Sequence, residues 1–401
     1  MSQQHAVVLG GGIGGLATAV ALHRRAWHVT VLERAPSLDP VGAGIALAPN
    51  GQRALDVIGL GDEIRARAAW QGSGGLRTPR GRWLTRLDAE EVTERFGGPL
   101  VLLHRADLIA RLAAALPPDR LRTDSPAELV APGVPGAARA VVRTPDGDLH
   151  ADLVVAADGI RSATRRTLFP EHPGPRYSGF TTWRFVAPDP APGRPFAPHE
   201  TWGRGSLWGA HPLADGRVYA YAAALAPAGA TAPDEHAELR RRFADWHDPV
   251  PALLGAAARL PVLRHDVHHM TTPLPAFHRG RVVLVGDAAH AMAPMLAQGG
   301  NQAIEDGIVL AHHADPAADL RSALAAYSAD RLPRTGAIVR KSAGAARVVA
   351  LRSRPAVALR TAALALTSRL MPDAMLRGFA AMADWNPPGG PYASERPTRT
   401  S

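Results

Sequence analysis

Apolar residues fall along this chain in short runs that end on glycine and an acid. Residues 6–9, 29–32, 153–156 and 282–285 are almost wholly apolar. Runs of that length with no polar face predict strands buried on both sides, as in a parallel sheet covered by helices. Helical spacing predicts a helix over 14–25, one over 51–58 with Asn50 as its N-cap, and one over 104–116. The last turns Leu108, Ile109, Leu112 and Leu116 to one face. From Tyr177 the texture changes to β-type segments with aromatic residues, at 177–186, 205–213 and 216–225. Alternation puts Tyr219 and Tyr221 on one face. A strand at 82–87 and a hairpin around 145–147 come before this region, and a helix at 234–246 and a strand near 262–270 close it. Prolines crowd 188–198 and 227–233, which read as loops. Residues 319–354 and 355–382 read as helices, and the tail as unstructured.

The first run carries a fingerprint. Gly10, Gly12 and Gly15 spell G-x-G-x-x-G between a strand and a helix, with Ile13 and Gly14 lying between the second and third glycines. The first glycine allows the tight turn, the second lets a pyrophosphate approach the backbone, and the third lets helix and strand pack closely. The helix N-terminus offers its N–H groups to phosphate. Glu33 ends the next strand, where an acid accepts from ribose hydroxyls, and Arg34 follows it. Strand, helix, strand and acid together predict a dinucleotide site, without telling NAD from FAD. The run at 153–156 ends in Asp158-Gly159. The run at 282–285 ends in Gly286-Asp287, with Pro294, Gly299, Gly300 and Asn301 leading into a further helix.

Composition narrows the chemistry. Of 401 residues 46% are hydrophobic, enough for a large core and two domains. With no cysteine, thiolate chemistry, disulfides and Cys-ligated metals are excluded, so redox work needs a bound cofactor. The net charge of +9 comes from scattered arginines beside the single Lys341, which predicts no nucleic-acid partner. The N-terminus lacks a signal peptide's basic and apolar regions, and arginines interrupt the apolar stretch at 355–371. A soluble cytoplasmic protein without stable membrane association is expected. The cluster His265, Asp266, His268 and His269 lies in a predicted strand, where neighbours point to opposite faces, so no metal is expected.

The three punctuated strands in this order resemble the single-component, FAD-dependent aromatic monooxygenases of the p-hydroxybenzoate hydroxylase fold. The similarity is greatest to the salicylate- and urate-hydroxylase-like branch, and it extends to Trp-Asn-Pro-Pro at 385–388. The resemblance implies an α/β fold: a Rossmann-like FAD-binding domain from 1–70, 100–169 and 279–330, a mixed β-sheet substrate domain from 71–99 and 170–278, and C-terminal helices and tail from 331–401. It implies FAD, with NADPH or NADH as co-substrate and O2 added at flavin C4a as a hydroperoxide that hydroxylates an electron-rich aromatic. Residue by residue, it places Glu33 on the adenosine ribose and Arg105 at the phosphate–ribitol region. Asp158 falls by the pyrophosphate, Asp287 on the ribitol, and Pro294 against the flavin. Gly299, Gly300 and Asn301 fall at the pyrimidine side, and Tyr219 on the substrate side. Gly44 is expected near the cofactor for its backbone. Arg184 and Tyr221 are candidate substrate contacts, and His211 and Tyr219 candidate bases. Ala297 departs from the family pattern, which has glycine there. A monomer or homodimer is expected. An epoxidase, a Baeyer–Villiger enzyme, a reductase or a non-catalytic FAD-fold binding protein would share these motifs. A flavin halogenase would need a W-x-W-x-I-P run and a nearby lysine, and neither is present.

Overall fold

In the computed structural model, residues 3–38, 43–70, 73–87, 89–96, 98, 100–193, 197–371, 378, 380, 382–390 and 392 are described. Most of the expected unstructured tail, and part of the helix expected over 355–382, lie outside them. The apolar runs assemble into a six-stranded sheet in the order 278–279, 282–284, 153–156, 5–9, 28–32, 121–122. All neighbours are parallel except the first pair. The register pairs Leu9 with Ala156 and Ala156 with Leu284. Three strands far apart in sequence therefore end side by side, and Gly10, Asp158 and Asp287 follow at one edge of the sheet. Their side chains are wholly buried, from Val7 and Val8 to Val154, Val155 and Val283, as expected of strands covered on both faces.

Two helices cover this sheet and each other, Ile13–Arg24 and Gly299–His313. A Cβ on Gly307 would lie 2.8 Å from the Thr18 amide nitrogen, so the missing side chain sets their close approach. The helix expected over 51–58 begins earlier, at Pro49, after Ala48. Asn50 is thus inside the first turn and is not the N-cap. Proline at the first helical position has no N–H to satisfy, and the Asn50 amide turns inward, donating to Glu305 Oε1 at 2.7 Å and Gln298 Oε1 at 3.1 Å.

A seven-stranded sheet runs in the order 263–269, 176–188, 217–225, 206–212, 199–202, 74–77, 83–87. The strand His199–Trp202 follows directly on the proline-dense loop and was not expected. One face carries Trp183, Phe185, Trp208, Ala220 and Ala222 and packs on helices Glu235–Phe243 and Val250–Ala256. The second of these helices was also missed. The opposite face carries Arg184, Tyr219, Tyr221, Gly209 and Glu200, and it meets residues 43–46, 102 and 293–295. Long helices Leu320–Val349 and Arg354–Leu370 close the chain. Among the described residues no helix is long and apolar enough to cross a membrane.

Candidate functional site

The glycine turn is built by sterics. Gly10 has φ +112°, and a Cβ there would lie 2.4 Å from the Ala157 carbonyl oxygen. A Cβ on Gly15 would lie 2.0 Å from the Gly10 carbonyl oxygen, while one on Gly12 meets nothing within 4 Å. Two glycines are demanded by the protein itself, and the third opens to free space. Gly12 caps the helix without any side-chain hydrogen bond, so the first-turn N–H groups of Ile13 and Gly14 remain for an anion. Glu33 accepts from the Gly11 N–H at 2.7 Å and the Ala35 N–H at 2.9 Å, which fixes its carboxylate beside the turn. Arg34 is exposed.

Asp158 uses one oxygen to accept from the Thr164 N–H at 3.0 Å, and its Oδ1 is buried without a partner. Gly159, at φ +77°, turns the chain behind it. Arg165, almost fully buried, donates to the carbonyls of Ile160 at 2.6 Å and Ala288 at 2.9 Å. It thereby ties the Asp158 loop to the Asp287 turn, a structural role that its place at a helix start did not advertise.

Asp287 and Arg105 are solvent-accessible, yet surrounding protein desolvates both. Burial raises the Asp287 carboxyl against the opposing charges of His290, Arg105 and Arg165. Burial, then the charge of Arg184, lowers the Arg105 guanidinium. Groups that are accessible and desolvated at once line a deep cleft. Gly286, at φ +58°, donates its N–H to Asp306 Oδ2 at 2.8 Å. Asp306 also has His290 Nε2 at 2.6 Å and accepts from Arg331 Nε at 2.7 Å, and Arg331 donates to Glu305 Oε2 at 2.6 Å. This buried network holds the turn that aims Asp287 into the cleft.

Beyond it, Pro294–Leu296 forms a single 3₁₀ turn that ends on Ala297 in the left-handed region, φ 50° and ψ 30°. The helix Gly299–His313 then starts with no side-chain cap, so the N–H groups of Gly299 and Gly300 stay open. The Asn301 side chain does not face outward with them. It donates to the Ala46 and Ala297 carbonyls and accepts from the Ala48 N–H, so what Asn301 can offer to the cleft is its backbone. A Cβ on Gly44 would lie 2.6 Å from Tyr219 Cδ1, so Gly44 is where the strand Gly44–Leu47 makes room for that ring.

On the facing sheet, Tyr219 and Tyr221 lie with ring centroids 5.6 Å apart. Burial pushes the Tyr219 phenol up to about 12, against the pull of Arg184 and Arg105, and Arg184 hydrogen-bonds it. Arg184 also lies 3.1 Å from His265 Nδ1, and its Nε is buried without a partner. Burial pulls His211 down to about 3. The His265–His269 segment forms a strand, and among the described residues no group of three or more histidines, cysteines and acids is placed to hold a metal.

A family model described as an FAD binding domain matches residues 3–342. The chain belongs to that family. It is 38% identical over 335 residues to an aurachin C monooxygenase/isomerase from Stigmatella aurantiaca, covering 83% of this chain and 86% of that one. It is 35% identical over 392 residues to a 3-amino-4-hydroxybenzoate 2-monooxygenase from Streptomyces platensis, covering 93% and 96%. The structure of Klebsiella pneumoniae HpxO with FAD and uric acid superposes with a TM-score of 0.85 at 28% identity, covering 96% of this chain and 98% of that one. This chain is thus an FAD-dependent monooxygenase with an α/β, Rossmann-like FAD-binding region, a mixed-sheet region and C-terminal helices. The cleft of this flavoprotein suits its cofactor on its own geometry. An open glycine, two uncapped helix starts, the orphaned Asp158 Oδ1 and the accessible Asp287 carboxylate match the acceptors and hydroxyls of a flavin dinucleotide. The buried partners Arg165, Asn50, Glu305, Asp306 and Arg331 were missed as a set. The one signal for them was a pair of acids, Glu305 and Asp306, inside an otherwise apolar helix.

Proposed function

We propose that this monooxygenase takes electrons from NADH or NADPH and hydroxylates an electron-rich aromatic that carries an acidic group. The observation that carries the reading is the crowding of Arg184 around Tyr219 together with Arg105, which lies between Asp287 and Tyr219 and so serves the ribitol end of FAD as well as the substrate face. Burial and then the charge of Arg184 lower the Arg105 guanidinium, and an anion placed between the two cations relieves their repulsion. Bound FAD supplies the electron transfer and the activation of O2. The residues of the chain do the rest. Glu33 takes the adenosine ribose, the helix start at Gly12–Gly15 takes the pyrophosphate with Asp158 beside it, and Asp287 takes the ribitol. Pro294 lines the flavin. The open N–H groups of Gly299 and Gly300 stabilise negative charge on its pyrimidine side.

The substrate sits between that turn and the sheet face of Tyr219. With its phenol at about 12, Tyr219 keeps its proton at neutral pH and acts as a donor to an ionised oxygen, not as a base. His211, at about 3, stays neutral and draws protons weakly, which makes it a poor base as well. Ionisation of the substrate then comes from Arg105 and Arg184, which lower the pKa of a phenol or acid placed against them. Ala43, Leu102 and Leu213 pack around Tyr219 and keep water away from the ring.

The test is O2-dependent oxidation of NADH and NADPH by the FAD-loaded protein across phenols and aromatic acids, with product analysis. Stimulated oxidation with a hydroxylated product is expected. If no compound stimulates oxidation, or peroxide is the sole product throughout, the reading falls.

A further inference from the structure

The sheet face that carries Tyr219 and Tyr221 has two ends of opposite hydrogen-bonding character. The strand registers set Glu200 against Gly209, Gly209 against Tyr221, and Tyr221 against Arg184, so these four form one row across four strands. Residues directly opposite across strands share a face. Within that row Tyr221 leans away from Arg184. A Cβ on Gly209 would lie 2.1 Å from Tyr221 Cζ, so the ring lies over that glycine. Its hydroxyl reaches the next strand and donates to Glu200 Oε1 at 2.5 Å. Glu200 is itself held, accepting from Trp202 Nε1 at 3.0 Å through its other oxygen. His211, almost parallel to the Tyr221 ring at 8°, brings Nε2 to 3.4 Å of the same hydroxyl. Tyr219, by contrast, accepts from Arg184 at its hydroxyl oxygen. The two tyrosines therefore point their hydroxyls in opposite directions along one wall.

Once Tyr221 has donated its proton to Glu200, its oxygen has only lone pairs left to offer. We propose that Tyr221, oriented by Glu200, is an acceptor pole of the substrate chamber and selects aromatic substrates bearing an N–H or O–H donor on the edge away from their acidic group. The inference rests on the proposed function, which places the acidic group at Arg105 and Arg184. Tyr221 is the residue that touches substrate, and Glu200 is a positioning residue acting through it. Burial raises the Glu200 carboxyl, opposed by its bonds from Tyr221 and Trp202, and lifts the Tyr221 phenol well above its usual range. Tyr221 is thus never a phenolate at neutral pH, and its lone pairs stay neutral acceptors that suit a donor and repel no anion.

Isothermal titration calorimetry on the FAD-loaded protein tests this with isosteric pairs, 3- and 4-aminobenzoate against 3- and 4-methylbenzoate. The wild type is expected to bind at least one amino acid of a pair about tenfold tighter than its methyl partner, because a site built to bond an N–H rejects the group that lacks it. Tyr221→Phe brings the ratio to about one. Glu200→Ala lowers it, and Glu200→Gln, whose amide oxygen still accepts from Tyr221, keeps more of it than Glu200→Ala. Carboxylate binding itself persists in all three, and unchanged flavin absorption shows that they are folded. No amino preference in the wild type, whether both partners bind or neither does, overturns the proposal. So does a preference that survives Tyr221→Phe. A preference that follows these variants in a protein that oxidises no aromatic leaves the acceptor pole in place and removes the hydroxylation reading instead.

Discussion

Arg331 is 1% exposed and sits against two carboxylates that are 0% exposed. It donates to Asp306 Oδ1 at 2.7 Å, Glu305 Oε2 at 2.6 Å, and Gln302 at its carbonyl (3.1 Å) and Oε1 (2.8 Å). Replacing it by methionine keeps the volume and removes the charge and every one of these bonds. Breaking a buried ion pair from one side costs about 3–5 kcal/mol, because the remaining charge stays buried. Here each acid keeps other partners. Glu305 retains Arg334 at 2.6 Å and Asn50 at 2.7 Å, and Asp306 retains the Gly286 N–H and His290. The low end, about 3 kcal/mol, is therefore expected for Arg331→Met.

The acid limb of stability should move with it. Burial alone would raise the Asp306 carboxyl, but His290, Arg331 and the Gly286 N–H outweigh it and hold it at about 2. A carboxyl depressed in the folded state contributes stability above its unfolded pKa, near 4, and loses it as pH falls from there through about 2. Losing Arg331 raises that folded value, so the acid-induced loss begins at higher pH in the variant. The assay is urea unfolding followed by circular dichroism at fixed excess FAD, since the cofactor itself stabilises the folded state, repeated between pH 7 and pH 3. FAD affinity should also fall, because Asp306 pins the Gly286–Asp287 turn. Arg334→Met, at a position 18% exposed, serves as the milder control. A variant within about 0.5 kcal/mol of wild type, in the range of ordinary surface substitutions, with FAD binding unchanged, would refute the claim that this network holds the turn.

Ala297→Gly is expected to raise stability by up to about 1 kcal/mol, since a Cβ in the left-handed region is strained; an unchanged or lowered melting temperature counts against that strain. Gly15→Ala puts a methyl 2.0 Å from the Gly10 carbonyl oxygen, which backbone cannot yield cheaply, so the protein should purify without FAD, and a fully yellow preparation would show that the turn tolerates it. Gly209→Ala, 2.1 Å from Tyr221 Cζ, meets the end of a movable ring. It should leave the flavin spectrum and FAD affinity intact and raise KM, and an unchanged KM would mean that Tyr221 does not meet substrate from over Gly209.

What the chain shows on reading and what it hides divide along a physical line. Buried parallel strands need continuous apolar runs, and their ends need glycine or a small acid, so 6–9, 153–156 and 282–285 announce themselves. Lateral order in the sheet is set by pairing between residues more than a hundred positions apart, such as Leu9 with Ala156, and no local pattern encodes it. Asn50 misleads because an N-cap needs extended backbone as well as the right residue type, and at Ala48-Pro49 the proline moves the helix start back past it. Tyr219 and Tyr221 could be paired by alternation alone, which is a property of one strand. Glu200 could not, because its short strand follows a proline-dense loop, and its meaning comes from the Tyr221 hydroxyl arriving across Gly209 from two strands away. A residue whose function depends on what another strand brings to it carries no signature of its own. The sheet face of Tyr219 and Tyr221 is where this matters most, since the glycine turns follow backbone rules, whereas that face is made by side chains meeting across strands.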